Sequence, residues 1–346
     1  MDEKKTRTEI STLGEFGLIA RIKRNVKVYN ASTIKGIDDD AAVIRTNTDE
    51  YMVVSSDMLL EGVHFDLVYT PLKHLGYKAV AVNVSDIAAM NAIPEQITIS
   101  LGLSNRFSVE AVDELYEGIH VACQNYKVDL VGGDTTASRS GLVIAITAIG
   151  KVHPSKVVYR NTARKGDILC VTGDLGAAYL GLQVLRREKQ EFLANPSMQP
   201  QLEKYSYLVM RQLKPEARTD IIHELKDLDV VPTAMIDISD GLASELLHIC
   251  RQSGVGAVVY EDKLPIDQLA MEAATMDFQL SPLTCAMNGG EDYELLFTIR
   301  QEDYPKLENH PEISFIGYIQ EAEKGVKLVT SGQQITDIKA QGWVHF

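Results

Sequence analysis

Strands and helices are predicted to alternate along this chain in two successive runs, and this double alternation limits most strongly the folds available to it. The first run contains segments predicted at 41–45, 51–57, 72–90, 96–103, 109–126, 128–131 and 142–150. The second contains segments predicted at 167–172, 176–187, 201–212, 216–226, 234–238, 242–252, 256–260, 293–299 and 313–318. Stretches rich in β-branched and aromatic residues indicate the strands. We therefore expect two α/β or α+β domains, of residues 1–153 and 154–346.

The acidic balance of the sequence argues against two classes of partner. The 34 basic and 48 acidic side chains give a net charge of −14, whereas surfaces that bind nucleic acid or anionic membranes are basic. Residues 1–9 lack the apolar segment of a signal peptide, and the apolar run 142–149 is far shorter than the roughly 18 residues that span a membrane. We expect a cytoplasmic protein without nucleic-acid or membrane partners. The widely spaced cysteines, which we expect to be free thiols, are Cys123, Cys170, Cys250 and Cys285.

The common motifs for binding nucleotides or for hydrolysis are absent from the sequence. It contains no P-loop, no GxGxxG after a strand, no HExxH and no GxSxG. Short acidic motifs are present instead, nearly all where a predicted strand ends or a predicted helix begins. Their acidic residues are Asp38, Asp39, Asp40, Asp57, Asp86, Asp134, Asp237, Asp240, Glu291 and Asp292.

Each of these motifs also has a purely structural explanation when it is taken alone. Three consecutive aspartates, as at 38–40, usually form a solvated turn. Ser239 or Asp240 before a helix would serve as an N-cap, and the Gly-Gly-Asp at 132–134 is most often a turn. Asp86 is the hardest to explain in this way, because a charge among the apolar residues of its helix must be paired or bind a metal ion.

Taken together, the acidic motifs predict an enzyme that uses ATP through bound Mg²⁺. This ion takes oxygen ligands and is usually held by one or two carboxylates together with substrate phosphates. Carrying a triphosphate without a P-loop lysine would require several such ions, and hence carboxylates from several segments. The small residues of the helix at 79–90 allow other backbone to come close. Gly132 and Gly133 similarly allow a phosphate to approach next to Asp134.

The order of the motifs resembles that of the thiamine-monophosphate kinases, a branch of the aminoimidazole ribonucleotide synthetase-like superfamily. The matching segments are 14–16, 39–43, 55–59, 62–65, 83–90, 132–136, 160–167, 171–173, 237–242, 289–295 and 342–346. Three features favour the kinases over other members of the superfamily: His64-Phe65, the segment 289–295, and the terminal Trp343-Val344-His345-Phe346. The sequence departs from the family in two places, with Asp38 in place of a glycine and Ser56 in place of the common threonine.

The resemblance implies a two-domain fold, with an N-terminal α/β domain whose sheet pairs with its twin in a homodimer and a C-terminal α+β domain that closes the active-site cleft. It implies Mg²⁺ ligation by Asp39, Ser55, Ser56, Asp57, Asp86, Asp134, Asp237 and Asp240. It implies ATP contacts by Tyr116, Gly133, Asp134, Arg160 and Ser239. Thiamine monophosphate would contact His64, Glu291 and Trp343. Asp86 and Arg160 would be catalytic in a direct transfer of the γ-phosphate that yields thiamine diphosphate.

Two other functions remain open at this point. Another ATP-dependent member of the superfamily would use the same carboxylates for different chemistry. Selenophosphate synthetases typically carry a reactive cysteine near the N-terminus, whereas the first cysteine here is Cys123. A non-catalytic metal-binding scaffold would need neither Arg160 nor the substrate-side His64 and Glu291.

Overall fold

The computed structural model describes residues 9–340, and within them two mixed β-sheets form the centres of two domains. The helices and strands of the N-terminal half are α1 (Gly14–Lys23), β1 (Thr33–Lys35), β2 (Ala42–Arg45), β3 (Tyr51–Leu60), α2 (Leu72–Ala89), β4 (Ile93–Leu103), α3 (Val109–Tyr126), β5 (Asp129–Ala137) and β6 (Val143–Val152). Those of the C-terminal half are β7 (Ile168–Thr172), α4 (Ala177–Ala194), α5 (Ser206–Leu213), α6 (Thr219–Asp227), β8 (Ala234–Asp237), α7 (Leu242–Ser253), β9 (Val255–Tyr260), α8 (Gln268–Glu272), α9 (Pro282–Asn288), β10 (Leu295–Ile299), α10 (Tyr304–Leu307), β11 (Ile313–Glu321), β12 (Val326–Val329) and β13 (Ile335–Asp337).

The first sheet has the strand order β1-β2-β3-β6-β4-β5, with β4 and β5 parallel and the other neighbours antiparallel. Alternate residues of β6, among them Ile144 and Ile146, are buried against α2. β5 forms one edge of this sheet, and its Val131 side chain is 58% exposed. Apart from its partly buried Leu130, every residue of β5 is exposed.

The second sheet has the order β13-β12-β9-β11-β7-β10-β8 and is antiparallel except between β12 and β9. Its interior strands β7 and β10 are buried almost throughout, with α7 packed on one face and α6 on the other. Helix α2 lies between the two domains, because it contacts β3, β4 and β6 on one side and β8, α5 and α6 on the other. This position explains why nearly all of its residues are buried.

The predicted pair of mixed α/β domains is confirmed, whereas the boundary between residues 153 and 154 stays a prediction. The elements that the sequence did not predict are α1, β1, α8, α9, α10, β12 and β13. All of them except α1 have seven residues or fewer, too few for a clear periodic pattern. The four cysteines, all within the described range, are free; Cys123 is partly exposed and the other three are buried. None of the helices in residues 9–340 is both long and apolar enough to cross a bilayer.

Candidate active site

A cleft of about 770 Å³ lies between the two domains, and we call it the interdomain cleft. On the N-terminal side it is lined by the end of β3, the loop that follows it and the inner face of α2. On the C-terminal side it is lined by α4, α9, the turn between β8 and α7, and the loop 288–293. A cavity of this size accommodates a small-molecule ligand.

Three carboxylates from different elements meet beside the interdomain cleft, and two of them, Asp86 and Asp237, line it. Asp40 precedes β2, Asp86 is near the end of α2, and Asp237 is the last residue of β8. One oxygen of each lies within 4.8 Å of the others, an arrangement suited to a metal ion, and we call this group the acidic triad. Asp57, on β3, lines the cleft beside it and interacts electrostatically with Asp86 and Asp237.

Short polar side chains hold these carboxylates in place. The Ser55 hydroxyl donates a hydrogen bond to Asp86 Oδ2, and the Ser85 hydroxyl donates to Asp237 Oδ2 at 2.7 Å. The second bond crosses from the N-terminal to the C-terminal domain. Because Ser85 and Asp86 are adjacent on α2, this one helix sets the relative positions of two members of the triad.

The triad is electrostatically unfavourable without a bound metal ion, even though Arg160 pairs with Asp40. Burial raises the pKa of Asp40 to about 8 and that of Asp237 to about 6. Burial, followed by the charges of Asp57, Asp237 and Asp40, raises the pKa of Asp86 well above its usual range. Within residues 9–340, Asp40 Oδ2 is buried and has no hydrogen-bond partner. A buried acceptor without a donor, next to two further carboxylates, fits a hard divalent cation such as Mg²⁺.

Asp40 is the member of the 38–40 run that joins the triad, whereas the sequence interpretation selected Asp39. Asp39 lies alongside, where its carboxylate pairs with Lys35 at 2.9 Å and with Arg160 Nε at 3.5 Å. The Arg160 guanidinium also donates to Asp40. Burial would lower the pKa of Arg160, but the charges of Asp40 and Asp39 outweigh burial and raise it. In a run of three aspartates, the sequence contains no signal to tell which carboxylate joins the triad, and the side chains of Asp39 and Asp40 are both buried.

Ser56 does not accompany its neighbours to the triad. Successive side chains of a strand point to opposite faces, so Ser56 lies on the other face of β3 from Ser55 and Asp57. Its hydroxyl donates to the Ile146 carbonyl at 3.2 Å and accepts from Thr147 Oγ1 at 3.1 Å. Of the two predicted serine ligands, only Ser55 therefore contacts the acidic triad in the described part of the chain.

Gly133 and Asp134 lie far from the triad within one chain. Asp57, Ile146, Ile99 and Gly133 are register partners across β3, β6, β4 and β5, and three interstrand spacings amount to about 14 Å. A Cβ on Gly133 would lie 1.7 Å from the Ile99 carbonyl oxygen, so close strand contact already requires glycine there.

Tyr116 is the third predicted ATP contact in the N-terminal domain. It lies on α3 and packs on the core of that domain. Its ring centroid lies 6.0 Å from that of His120. Among the described residues that line the interdomain cleft, Tyr116, Gly133 and Asp134 are not found. The sequence interpretation thus grouped together residues that a single chain keeps apart.

The predicted substrate-side residues His64 and Glu291 do line the cleft, as do Ser239 and Asp240. The Leu60 amide donates to His64 Nδ1 at 3.0 Å, which orients the imidazole. Trp343 lies outside the described residues.

Glu291 is held from two elements that the sequence interpretation did not connect with it. Lys78 of α2 lies 3.0 Å from its Oε1, and Gln212 of α5 donates to its Oε2. Its amide donates to the Ser239 carbonyl at 2.7 Å.

Gly290 allows the loop that carries Glu291 to pack closely against the turn at Ser239. Replacing Gly290 with alanine should therefore destabilise the protein. The φ of Gly290 is +72°, and a Cβ would lie 2.7 Å from the Ser239 carbonyl oxygen. We expect Gly290→Ala to lower the free energy of unfolding by about 2–3 kcal/mol, since the backbone strain and the contact both oppose the side chain.

Gly254→Ala is the matched control for this variant. Its φ is +66° with open space around the Cβ position, so only about 1 kcal/mol should be lost. Denaturant unfolding of both variants measures the difference. Equal losses would mean that the contact with Ser239 contributes nothing.

Comparison with known proteins agrees with this geometry. The family model described as AIR synthase related protein, N-terminal domain, matches residues 38–152, and the corresponding C-terminal domain matches residues 164–328. The chain is 36% identical to the thiamine-monophosphate kinase of Buchnera aphidicola subsp. Schizaphis graminum, over 96% of this chain and 98% of the relative. It is 33% identical to the thiamine-monophosphate kinase of Bacillus subtilis, over 96% of this chain and 100% of that relative.

A solved structure supports the same relationship. The structure described as AaThiL complexed with AMPPCP and TMP is 30% identical in sequence and superposes with a TM-score of 0.83, covering 99% of this chain and 100% of that one. The match therefore includes both domains and the cleft between them.

Proposed function

Because the chain belongs to the thiamine-monophosphate kinases, within the AIR synthase related proteins, we propose that its interdomain cleft transfers the γ-phosphate of ATP directly to thiamine monophosphate. The products are thiamine diphosphate and ADP. The observation that carries this proposal is the acidic triad of Asp40, Asp86 and Asp237, because two of its members, Asp86 and Asp237, line a cavity large enough for small-molecule substrates.

Asp40, Asp57, Asp86 and Asp237 would hold Mg²⁺ ions. The support is the unpartnered Asp40 Oδ2 and the raised pKa values of the four carboxyls. Asp39, Ser55 and Asp240 lie next to this set and stay candidate ligands. When bound, Mg²⁺ supplies positive charge that offsets the phosphates of ATP.

The chain's own residues need only position the two substrates and balance their charges. A phosphate monoester is largely ionised near neutrality, so an oxygen of the acceptor phosphate can attack the γ-phosphorus without a side-chain nucleophile. A bond forms between that oxygen and the γ-phosphorus while the bond to the β–γ bridging oxygen breaks, and ADP leaves. Arg160 adds a fixed positive charge beside the triad, and Asp86 is central in it.

The acceptor would lie against His64, Glu291 and Trp343, and the nucleotide against Ser239, Tyr116, Gly133 and Asp134. A homodimer would reconcile these assignments with the distance between Asp134 and Asp57 in one chain. The exposed edge of the sheet at β5 supports pairing with a second copy. In such a dimer, Gly133 and Asp134 would line the cleft of the other protomer.

The location of the protein would be the cytoplasm, since its free cysteines suit a reducing compartment.

The reaction is tested by incubating the purified protein with ATP, Mg²⁺ and thiamine monophosphate and separating the thiamine species by chromatography. We expect thiamine diphosphate to accumulate. Its formation should stop when EDTA is present and resume when excess Mg²⁺ is added. Unphosphorylated thiamine as the acceptor is the matched control and should give no thiamine diphosphate. Bound ATP without this product would contradict the proposal and favour another substrate of the superfamily.

A further inference from the structure

Lys78 is a buried cation that joins the two domains and that the proposed reaction does not use. Its side chain is 3% exposed. It lies on α2 about 12 Å along the helix from Asp86, on the face that also carries Val82 of the cleft wall. A lysine is seldom so deeply buried unless it is paired, because the charge loses its hydration.

The contacts of Lys78 converge on Glu291. Its ammonium lies 3.0 Å from Glu291 Oε1 and donates to the Gln212 carbonyl oxygen at 3.2 Å. The Gln212 side chain in turn donates to Glu291 Oε2. Lys78 and Gln212 therefore hold both oxygens of a single carboxylate, one from each domain.

The backbone of Glu291 is constrained as well. Its φ is +60°, a conformation that residues with a side chain rarely adopt, and its amide is bonded to the Ser239 carbonyl. The carboxylate thus has one orientation, at the wall of the interdomain cleft. Each carboxylate oxygen has two lone pairs, so both can still accept a hydrogen bond or attract a cation from the cleft.

We propose that Lys78 is a positioning residue for the acceptor substrate: it fixes Glu291 in the orientation in which that carboxylate attracts the cationic ring system of thiamine monophosphate. This inference rests on the proposed function. Lys78 is buried behind the cleft wall, so it acts through Glu291 and not by touching the acceptor. Without Lys78, the Glu291 side chain would have to be ordered when the substrate binds, which weakens binding.

Other contacts hold the domains together independently of Lys78. Ser85 donates to Asp237 across the same boundary, and the Tyr77 and Tyr126 hydroxyls bond to Glu216. Loss of Lys78 should therefore affect the acceptor and spare the nucleotide.

The test is a double-mutant cycle on steady-state kinetics with Lys78→Met, Glu291→Gln and the combined variant. We expect Lys78→Met to raise the KM for thiamine monophosphate about tenfold, with the KM for ATP changed less than about twofold. In the Glu291→Gln background, the same substitution should change the acceptor KM less than about twofold, because its target is already altered.

Lys73→Met is the control for removing a positive charge from α2. Lys73 is 52% exposed and pairs with Glu117, and we expect both KM values to stay unchanged. Lys78→Gln, which is neutral but keeps a donor for the Gln212 carbonyl, replaces Lys78→Met if that variant fails to fold. The expected results are the same.

Two results would overturn the inference: equal changes in both KM values, or effects of the two substitutions that multiply. Either of them, in an enzyme whose wild type makes thiamine diphosphate, rejects the role of Lys78 alone. A wild-type protein that makes no thiamine diphosphate rejects the proposed function instead.

Discussion

Replacing Asp86 with asparagine should lower kcat by at least about 100-fold, because one oxygen of a metal-binding carboxylate is replaced by an amide that carries no charge. The same change should leave the metal-free protein as stable as before or more stable. Burial and the neighbouring carboxylates already raise the pKa of Asp86 well above its usual range, so its ionised form is unfavourable in the fold. Asparagine keeps the size of the side chain and removes that charge.

Chromatographic turnover assays and thermal unfolding without metal measure the two halves of this prediction. Asp113→Asn on α3 is the matched control, since it removes an equal charge from an exposed position. It should change neither turnover nor the unfolding temperature. Near-normal turnover of the Asp86→Asn enzyme would refute the role that we assign to Asp86.

Mg²⁺ should stabilise the protein, and more strongly at alkaline than at acidic pH. The pKa values of Asp40 and Asp237, about 8 and about 6, lie above those of the unfolded chain. The folded state therefore binds protons more tightly, and the resulting stabilisation is complete below about pH 4 and lost as pH rises through both values. At alkaline pH the metal-free fold carries the repulsion between the ionised Asp40 and Asp237, which a bound divalent cation relieves.

A ligand at 100 times its dissociation constant stabilises a protein by about 2.7 kcal/mol, so saturating Mg²⁺ should raise the unfolding temperature by about 5 °C near pH 8.5. Near pH 5.5 protons compete for the same carboxylates, and we expect about half of that shift or less. Thermal unfolding with Mg²⁺ and with EDTA at both pH values measures this. A shift independent of pH would mean that the cation binds away from the acidic triad.

Much of the fold could be predicted because it depends on local patterns. The continuous apolar run of β6 and the long helical segments of α2 and α3 are visible in the local sequence. Helix α4 continues to Ala194, beyond the predicted residue 187, through a polar stretch that lacked a clear periodic signal. β5 likewise continues to Ala137 through exposed residues. The extension of β5 is paired along β4, whereas the extension of α4, exposed from residue 190 onward, consists of residues that favour helices.

The sequence by itself determined the chemistry of the site: which residue types are present, that a P-loop is absent, and that carboxylates stand at the ends of strands. Only the tertiary structure decided which of them meet. It selected Asp40 over Asp39 for the acidic triad, separated Asp134 from Asp57 by three interstrand spacings, and brought Lys78 to Glu291 from the other domain. Residue type and spacing report on local geometry, whereas the distance between two side chains remote in sequence depends on how sheets and helices pack.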